Sequence, residues 1–253
     1  MESFKFKAKY IREVFGIAYA NNNTGFTFGI VLELMDQDLH DFLKNNSNLT
    51  FDIKLNIAMQ ITKAFLFIHT KEYIHHDIKL ANILIKKNLK NDGYEVKISD
   101  FGTCLKKNPV PGLNDGKILT GINKNYSSPE NILHCLFGAT FENDDRSDIW
   151  SLGVVFYRLF VKNANFVFPF THLINQDSNN KYNQSLKRII LKERDQKENK
   201  YLGKYKACPA EIRELINECL QVNLERRPYI KHLLKKFRII QENMEKNEKI
   251  KIQ

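Results

Sequence analysis

The sequence lacks the segments that direct a chain into or across a membrane. Its 253 residues contain no stretch of about 18 apolar residues, so no membrane-spanning helix is predicted. Residues 1–9 alternate Phe with Lys and lack the apolar core of a secretory signal, so we expect no signal peptide. The pattern favours a protein that stays outside the secretory route.

Cysteine is also scarce, and its spacing excludes two common roles. The four cysteines are Cys104, Cys135, Cys208 and Cys219. None forms a Cys-x-x-Cys pair, and no histidine lies at zinc-ligand spacing to a cysteine pair. We therefore expect reduced thiols and a cytoplasmic protein, with the nucleus as the second location compatible with this chemistry.

The overall composition is that of a globular protein with a basic surface. Hydrophobic residues make up 43% and charged residues 27%, and the length suffices for one large domain or two small ones. The net charge is +10, but the lysines are spread along the chain and mixed with glutamate, especially from Lys231 onward. This is typical of a solvated surface, so we expect no specific nucleic-acid partner.

Short strands are predicted in two places. Phe15–Tyr19 and Thr27–Leu32 are apolar or β-branched, and the Asn- and Gly-containing residues between them predict a hairpin. Ile83–Ile85 and Val96–Ser99 form a second pair around an Asn-Asp-Gly turn.

Helical spacing dominates the remainder. Apolar residues recur three or four apart within residues 50–70 and again in Asp148–Phe160, where the helix is apolar enough to be buried. Further helices are predicted after Pro209 and near Pro228, and the last one should fray in its polar tail from Arg238 onward.

Two polar segments beside the second strand pair carry side chains suited to phosphate chemistry. Phosphoryl transfer needs a carboxylate to orient the attacking hydroxyl, a cation near the phosphate and oxygen ligands for Mg²⁺. Asp77, Lys79 and Asn82 could supply these groups from one loop. Asp100 follows a strand and precedes Gly102, which allows close approach to a phosphate-bound Mg²⁺.

Five motifs occur in the order of one known family. The loop His75–Asn82 resembles the H-R-D-L-K-x-x-N loop of protein kinases, and Asp100–Gly102 matches their D-F-G motif. The other three resemble the A-P-E, D-x-W-S-x-G and R-P elements, and they are Ser128–Glu130, Asp148–Gly153 and Arg227–Pro228. A chance match to all five is very improbable, and the resemblance covers roughly residues 10–240.

The resemblance implies a protein kinase that uses ATP and Mg²⁺ and acts on a protein substrate. Asp77 would be the catalytic base and Lys79 would contact the γ-phosphate. Asn82 and Asp100 would be the Mg²⁺ ligands. Lysine two residues after the base is the choice of serine/threonine kinases, so we expect serine or threonine acceptors.

The same resemblance implies an adenine pocket at the segment before the first long helix. Leu32 would be the gatekeeper, and the backbones of Glu33 and Met35 would hydrogen-bond adenine. Asp38 would reach the ribose hydroxyls, and Leu84 would pack beneath the adenine ring.

The resemblance also implies three contacts that support the catalytic loop. Glu130 and Arg227 would form a buried ion pair. Asp148 would accept backbone N–H groups of the loop, and His75 would stack on Phe101.

The expected fold is α+β and protein-kinase-like, with a mainly helical C-lobe and a truncated N-lobe remnant of two strands plus the hinge. We assign residues 1–35 to the remnant and 36–253 to the C-lobe. The family's Gly-rich loop, strand lysine and helix glutamate are not found in this sequence. Either the chain is a truncated form of a whole kinase, or it is a shortened protein that is inactive or completed by a protein regulator. Either way, we expect weak activity or none from this chain alone.

Two further departures bear on regulation. His76 replaces the arginine that pairs with an activation-segment phosphate in many kinases, which predicts weaker dependence on phosphorylation. Thr120 is the candidate phosphorylation site, and Asn123 replaces a threonine near the substrate. A pseudokinase-like scaffold remains the alternative, whereas the motifs of the peptide platform disfavour a small-molecule phosphotransferase.

Overall fold

The first sheet is a two-stranded antiparallel hairpin, as the sequence predicts. Strand β1 is Val14–Asn22 and strand β2 is Gly25–Leu32, with a bulge between Val14 and Gly16. The structure is a computed structural model, and it describes residues 9–22, 25–88, 93–108, 123, 125–141, 143–161, 190 and 208–252.

One face of this hairpin exposes large apolar side chains. Ile17 pairs with Ile30 and Tyr19 with Phe28, and all four side chains are more than 60% exposed, as is Phe15. Cross-strand pairs of this kind are normally buried against a second layer. Within the part of the chain that the structure describes, nothing covers this face.

Two further sheets lie beside the long helices. Strand β3 (Gln37–Asp38) pairs with β5 (Ile83–Asn88), which pairs with β6 (Gly93–Ile98), all antiparallel. The two-residue strands β4 (Tyr73–Ile74) and β7 (Leu105–Lys106) form the other sheet.

Six α-helices occur among the described residues, and they account for most of the core. They are α1 Leu39–Asn45, α2 Phe51–Thr70, α3 Pro129–Phe137, α4 Arg146–Phe160, α5 Ala210–Cys219 and α6 Ile230–Ile252. None of them combines the length and apolar content that crossing a membrane requires. The architecture combines a small strand-rich part with a large helical part, as the sequence predicts.

Helix α2 forms where the sequence predicts it and supplies one wall of the core. The Thr50 hydroxyl accepts the N–H of Ile53, so it satisfies one of the free donors at the start of the helix. Ile57, Ile61 and Phe65 follow at helical spacing and are fully buried. This burial fixes the end of α2, which leads directly to the segment that carries Asp77.

Helices α4 and α5 pack unusually closely. A Cβ atom at Gly153 would lie 2.6 Å from the Cβ of Cys219 and 3.0 Å from the Leu220 side chain. Glycine therefore permits this approach, and the close packing explains why α4 is buried along nearly its whole length.

The predicted fraying of the last helix from Arg238 onward is wrong. Helix α6 continues to Ile252 because its apolar stripe extends further than the composition of the tail suggests. Ile240 is buried, and Met244 packs against the core. Thr120 lies outside the described residues, and so does the Asn- and Lys-rich segment 171–205 except for residue 190.

Candidate active site

The loop after β4 brings three predicted site residues together. Asp77 lies at its centre, and its Oδ2 atom is 2.5 Å from Lys79 Nζ. Asn82 Nδ2 donates to the same Oδ2 at 3.0 Å and to the Asp77 carbonyl at 2.8 Å. The carboxylate is therefore held in one orientation by a cation and an amide, and it remains partly exposed.

A buried carboxylate on α4 anchors this loop from below. Asp148 accepts the N–H of His75 at Oδ2 (2.9 Å) and the N–H of His76 at Oδ1 (3.0 Å). It also contacts His69 Nε2 at 2.9 Å. Burial acts to raise the pKa of Asp148, but the hydrogen bond from His69 and the nearby imidazoles outweigh it, so the pKa lies below its usual value. The predicted contacts between Asp148 and the loop are confirmed.

Two non-glycine residues near the loop have left-handed backbones. His76 and Asp100 both have φ of 63°. Such conformations cost energy and persist where surrounding contacts impose them, which is common at functional sites. At His76 those contacts are the Asp148 hydrogen bonds, so the strain is part of how the loop is positioned.

Asp100 lies beside Asn82 because the two ends of the β5–β6 hairpin meet. Ser99 donates through both its N–H (3.0 Å) and its hydroxyl (3.1 Å) to the Asn82 carbonyl. The next residue along the chain is Asp100, whose carboxylate makes no hydrogen bond or ion pair to any described residue. Phe101 packs on His75 with ring centroids 5.1 Å apart, as predicted.

The donor set fits a magnesium ion bound through phosphates. The Nδ2 atom of Asn82 is used by Asp77, which leaves its amide oxygen as the atom that could face a cation beside Asp100. One amide oxygen and one carboxylate are hard ligands of the type Mg²⁺ prefers. The described ranges contain no group of three or more His, Cys, Asp or Glu arranged to hold a metal ion, so Asn82 and Asp100 would bind Mg²⁺ only together with phosphate oxygens and water.

Of the five residues predicted to hold the nucleoside, Asp38 lies on β3 and Leu84 on β5, whereas Leu32, Glu33 and Met35 come from the end of β2 and the segment that follows it. Asp38 pairs with Leu84 across these two strands. Met35 is buried nearby in sequence, and Leu32 ends β2 with partial exposure. The Asp38 carboxylate accepts the Asp41 N–H at 2.9 Å, so it also caps α1.

Glu33, whose backbone was predicted to bind adenine, also contacts several neighbouring side chains. Its carbonyl accepts the Nε–H of Arg12 at 2.9 Å, and its carboxylate pairs with Lys97 at 3.2 Å and Lys86 at 3.7 Å. Burial acts to raise its pKa, but the Glu13 N–H and the Lys97 charge lower it overall. These contacts bind the end of the exposed hairpin to the β5–β6 pair, and the carbonyl predicted to bind adenine already accepts one hydrogen bond.

The predicted ion pair between Glu130 and Arg227 is confirmed. The two terminal guanidinium nitrogens each lie 2.7 Å from a Glu130 oxygen, and the Ser147 hydroxyl donates to Oε1 at 2.9 Å. Burial would raise the pKa of Glu130, but the Arg227 guanidinium holds it below its usual value. The pair therefore ties the start of α3 to the segment before α6.

Comparison with known proteins agrees with this arrangement. The family model of the protein kinase domain matches residues 4–237. The chain belongs to the protein kinase family.

Curated relatives lie in the same family. Over 150 residues, the chain is 31% identical to mitogen-activated protein kinase 2 of Arabidopsis thaliana. The aligned residues cover 58% of this chain and 35% of that protein. Over 229 residues, the chain is 28% identical to the probable serine/threonine-protein kinase kinX of Dictyostelium discoideum. The aligned residues cover 90% of this chain and 18% of that protein. The chain thus spans about a third, or less, of the length of these relatives.

Within the kinase domain, one hydrogen-bond chain that starts at His76 was not predicted from the sequence. Its Nε2 atom donates to Asn143 Oδ1 at 3.3 Å, and Asn143 Nδ2 donates to the Lys106 and Lys107 carbonyls, each at 2.9 Å. The ring also packs on Phe141 at 5.5 Å. Neutral side chains therefore hold the backbone at Lys106 and Lys107, whereas many kinases use an arginine at the position of His76. No motif marks Asn143, which lies 67 residues from His76.

Proposed function

We propose that this chain carries the catalytic machinery for transfer of the γ-phosphate of ATP to serine or threonine of a protein substrate. The observation that carries the proposal is the joint orientation of Asp77 by Lys79 and Asn82. A carboxylate held this way can accept the proton of an attacking hydroxyl, and the adjacent ammonium can stabilise charge on the transferred phosphate.

Each residue has a stated part in the proposed reaction. Asp77 orients the acceptor hydroxyl and takes its proton, while Lys79 stays within hydrogen-bond distance of that carboxylate and of the incoming phosphate. Asn82 and Asp100 would hold Mg²⁺, which neutralises phosphate charge when bound. Glu33, Met35, Asp38 and Leu84, with Leu32 at the end of β2, would receive the nucleoside.

The exposed hairpin face supports the second part of the proposal. The sequence contains no Gly-rich loop or strand lysine to cover ATP, and the apolar face of β1 and β2 is left open within the described residues. We propose that a small-lobe segment, from a longer form of the chain or from a protein regulator, covers this face and completes the nucleotide site. Removal of one group that stabilises charge in the transition state commonly lowers the rate by about 10²–10³-fold. We expect a loss on this scale for each missing group, so this chain alone should be weakly active.

The test compares Asp77→Asn with the unaltered chain. Transfer of labelled phosphate from ATP to a degenerate serine/threonine peptide library is measured, with Asp52→Asn on the exposed start of α2 as the matched control. Loss of the base should lower the rate by about 10²–10⁴-fold, and the control should be unchanged. Equal rates in the unaltered chain and Asp77→Asn would refute catalysis and favour a scaffold.

A further inference from the structure

Helix α4 carries one charged side chain that its surroundings do not explain. From Ser147 to Phe160 every residue is buried except Arg158, which is half-buried. None of the described carboxylates forms an ion pair with it. A guanidinium is too costly to leave in an apolar core, so the side chain must reach a space that water or a ligand can enter.

That space is a cavity of about 240 Å³ beside the loop that carries Asp77. Arg158 lines it together with His40 of α1, Lys79, Tyr126 and the amide side chains of Asn123 and Asn125. The described lining contains no carboxylate; besides these polar and positive residues it includes the apolar Leu80, Ala81 and Val154. The cavity is therefore built for a negatively charged or polar group.

Among the described residues that line the cavity, Arg158 is the permanently charged side chain without a carboxylate partner. Lys79 is paired with Asp77 at 2.5 Å, and the nearby Asp38 carboxylate accepts the Asp41 N–H and caps α1. Burial raises the pKa of Tyr126 and the Asp38 charge adds to that rise, while the charges of Arg158 and Lys79 and a backbone hydrogen bond at Leu80 oppose it.

We propose that this cavity binds an acidic side chain of the protein substrate, either a carboxylate or a phosphate that the substrate already carries. The proposal rests on the proposed function, because the acceptor hydroxyl must lie at Asp77. Guanidinium groups bind carboxylate and phosphate through paired N–H donors, and a partly enclosed site strengthens that attraction. The same charges repel a basic side chain, so the pocket selects against basic substrates.

The position of the acidic group relative to the acceptor serine or threonine follows from the residues that line the cavity. Lys79 touches both the cavity and the Asp77 carboxylate, so the acidic group would lie within a few residues of the acceptor serine or threonine. Because Arg158 belongs to a rigid, buried helix, its charge is fixed relative to the loop.

The experiment measures binding of labelled serine peptides to the unaltered chain by fluorescence anisotropy, without ATP. The peptides carry aspartate, phosphoserine, alanine or arginine near the acceptor. Acidic peptides should bind about tenfold or more tightly than the arginine peptide, and added salt should reduce the difference. Comparison of the aspartate and phosphoserine peptides decides between the two sources of negative charge.

Three variants locate the effect. Arg158→Glu should reverse the preference and Arg158→Ala should abolish it. Arg238→Glu, an equal charge change on an exposed position of α6, should leave it intact. Circular dichroism checks folding, and if Arg158→Glu does not fold, Arg158→Ala decides.

The outcomes separate this proposal from the kinase proposal. Charge-selective binding together with equal phosphate transfer by the unaltered chain and Asp77→Asn would refute catalysis and keep the pocket. Phosphate transfer without charge selection, failure of every peptide to bind, or a preference that survives Arg158→Ala would overturn the pocket.

Discussion

Replacement of Arg227 by methionine should lower the free energy of unfolding by about 3–5 kcal/mol, because it strands a buried carboxylate. The Arg227 side chain is fully buried and that of Glu130 is 10% exposed. Methionine keeps most of the volume of the side chain, so the change removes charge and hydrogen bonds with little loss of packing.

The structure predicts that the two partners contribute unequally. Besides Glu130, Arg227 donates to the carbonyls of Gln221 (2.7 Å), Arg146 (3.1 Å) and Val222 (3.3 Å). Glu130→Gln leaves those three bonds and one acceptor oxygen in place, so it should cost only about 1–3 kcal/mol. Arg227→Met loses all five bonds and leaves the Glu130 charge without compensation.

Urea unfolding followed by fluorescence suits this measurement. Trp150 is the single tryptophan, and the Arg227 guanidinium carbon lies 5.3 Å from its ring, so the probe sits at the site of change. The surface pair Lys236–Glu218, with side chains 41% and 42% exposed, is the matched control. Lys236→Met should cost about 1 kcal/mol or less.

A double variant tests the reasoning directly. Arg227→Met combined with Glu130→Leu removes both charges, so its cost should be smaller than the sum of the single changes. Strict additivity, or an Arg227→Met cost no larger than that of Lys236→Met, would refute the claim that the pair holds α3 in place.

Two further changes probe packing and pH. Gly153→Ala should destabilise by about 1–3 kcal/mol despite the better helix propensity of alanine, because its Cβ would lie 2.6 Å from Cys219; greater resistance to urea would contradict this. Burial lowers the pKa of His76 in the folded protein. As the pH falls below 6.5, the unfolded chain therefore takes up a proton before the folded protein does. The free energy of unfolding should decline until the pH reaches the folded-state pKa. His76→Gln should flatten that decline in pH-dependent urea titrations, the exposed His232→Gln should not, and equal slopes for all three chains would refute the assignment.

Local sequence patterns were enough to predict the elements that carry the site. The turn residues between β5 and β6 and the apolar spacing of α2 and α4 are all contiguous signals. Asp77, Lys79 and Asn82 lie within six residues, so their meeting needs little of the tertiary structure. Such features are predictable because short-range geometry limits where neighbouring side chains can go.

Long-range contacts were predictable only where a family resemblance supplied them. Glu130 and Arg227 are 97 residues apart, and nothing in their spacing predicts an ion pair. Asn143 had no motif to mark it, and strands of two residues such as β4 and β7 are too short to show a periodicity. Asp38 shows a different limit. Its carboxylate caps α1, which follows from local geometry, but only a contact with ribose was predicted for it.

The contacts that position Asp77 all lie within the helical part and the β5–β6 pair. Asp148 anchors the loop, Asn82 and Lys79 orient the carboxylate, and none of these groups contacts the exposed β1–β2 hairpin. The geometry of the base therefore does not depend on whatever covers that hairpin. Under the proposed function, a covering segment would change how ATP is held, while the carboxylate proposed to accept the substrate proton is already oriented.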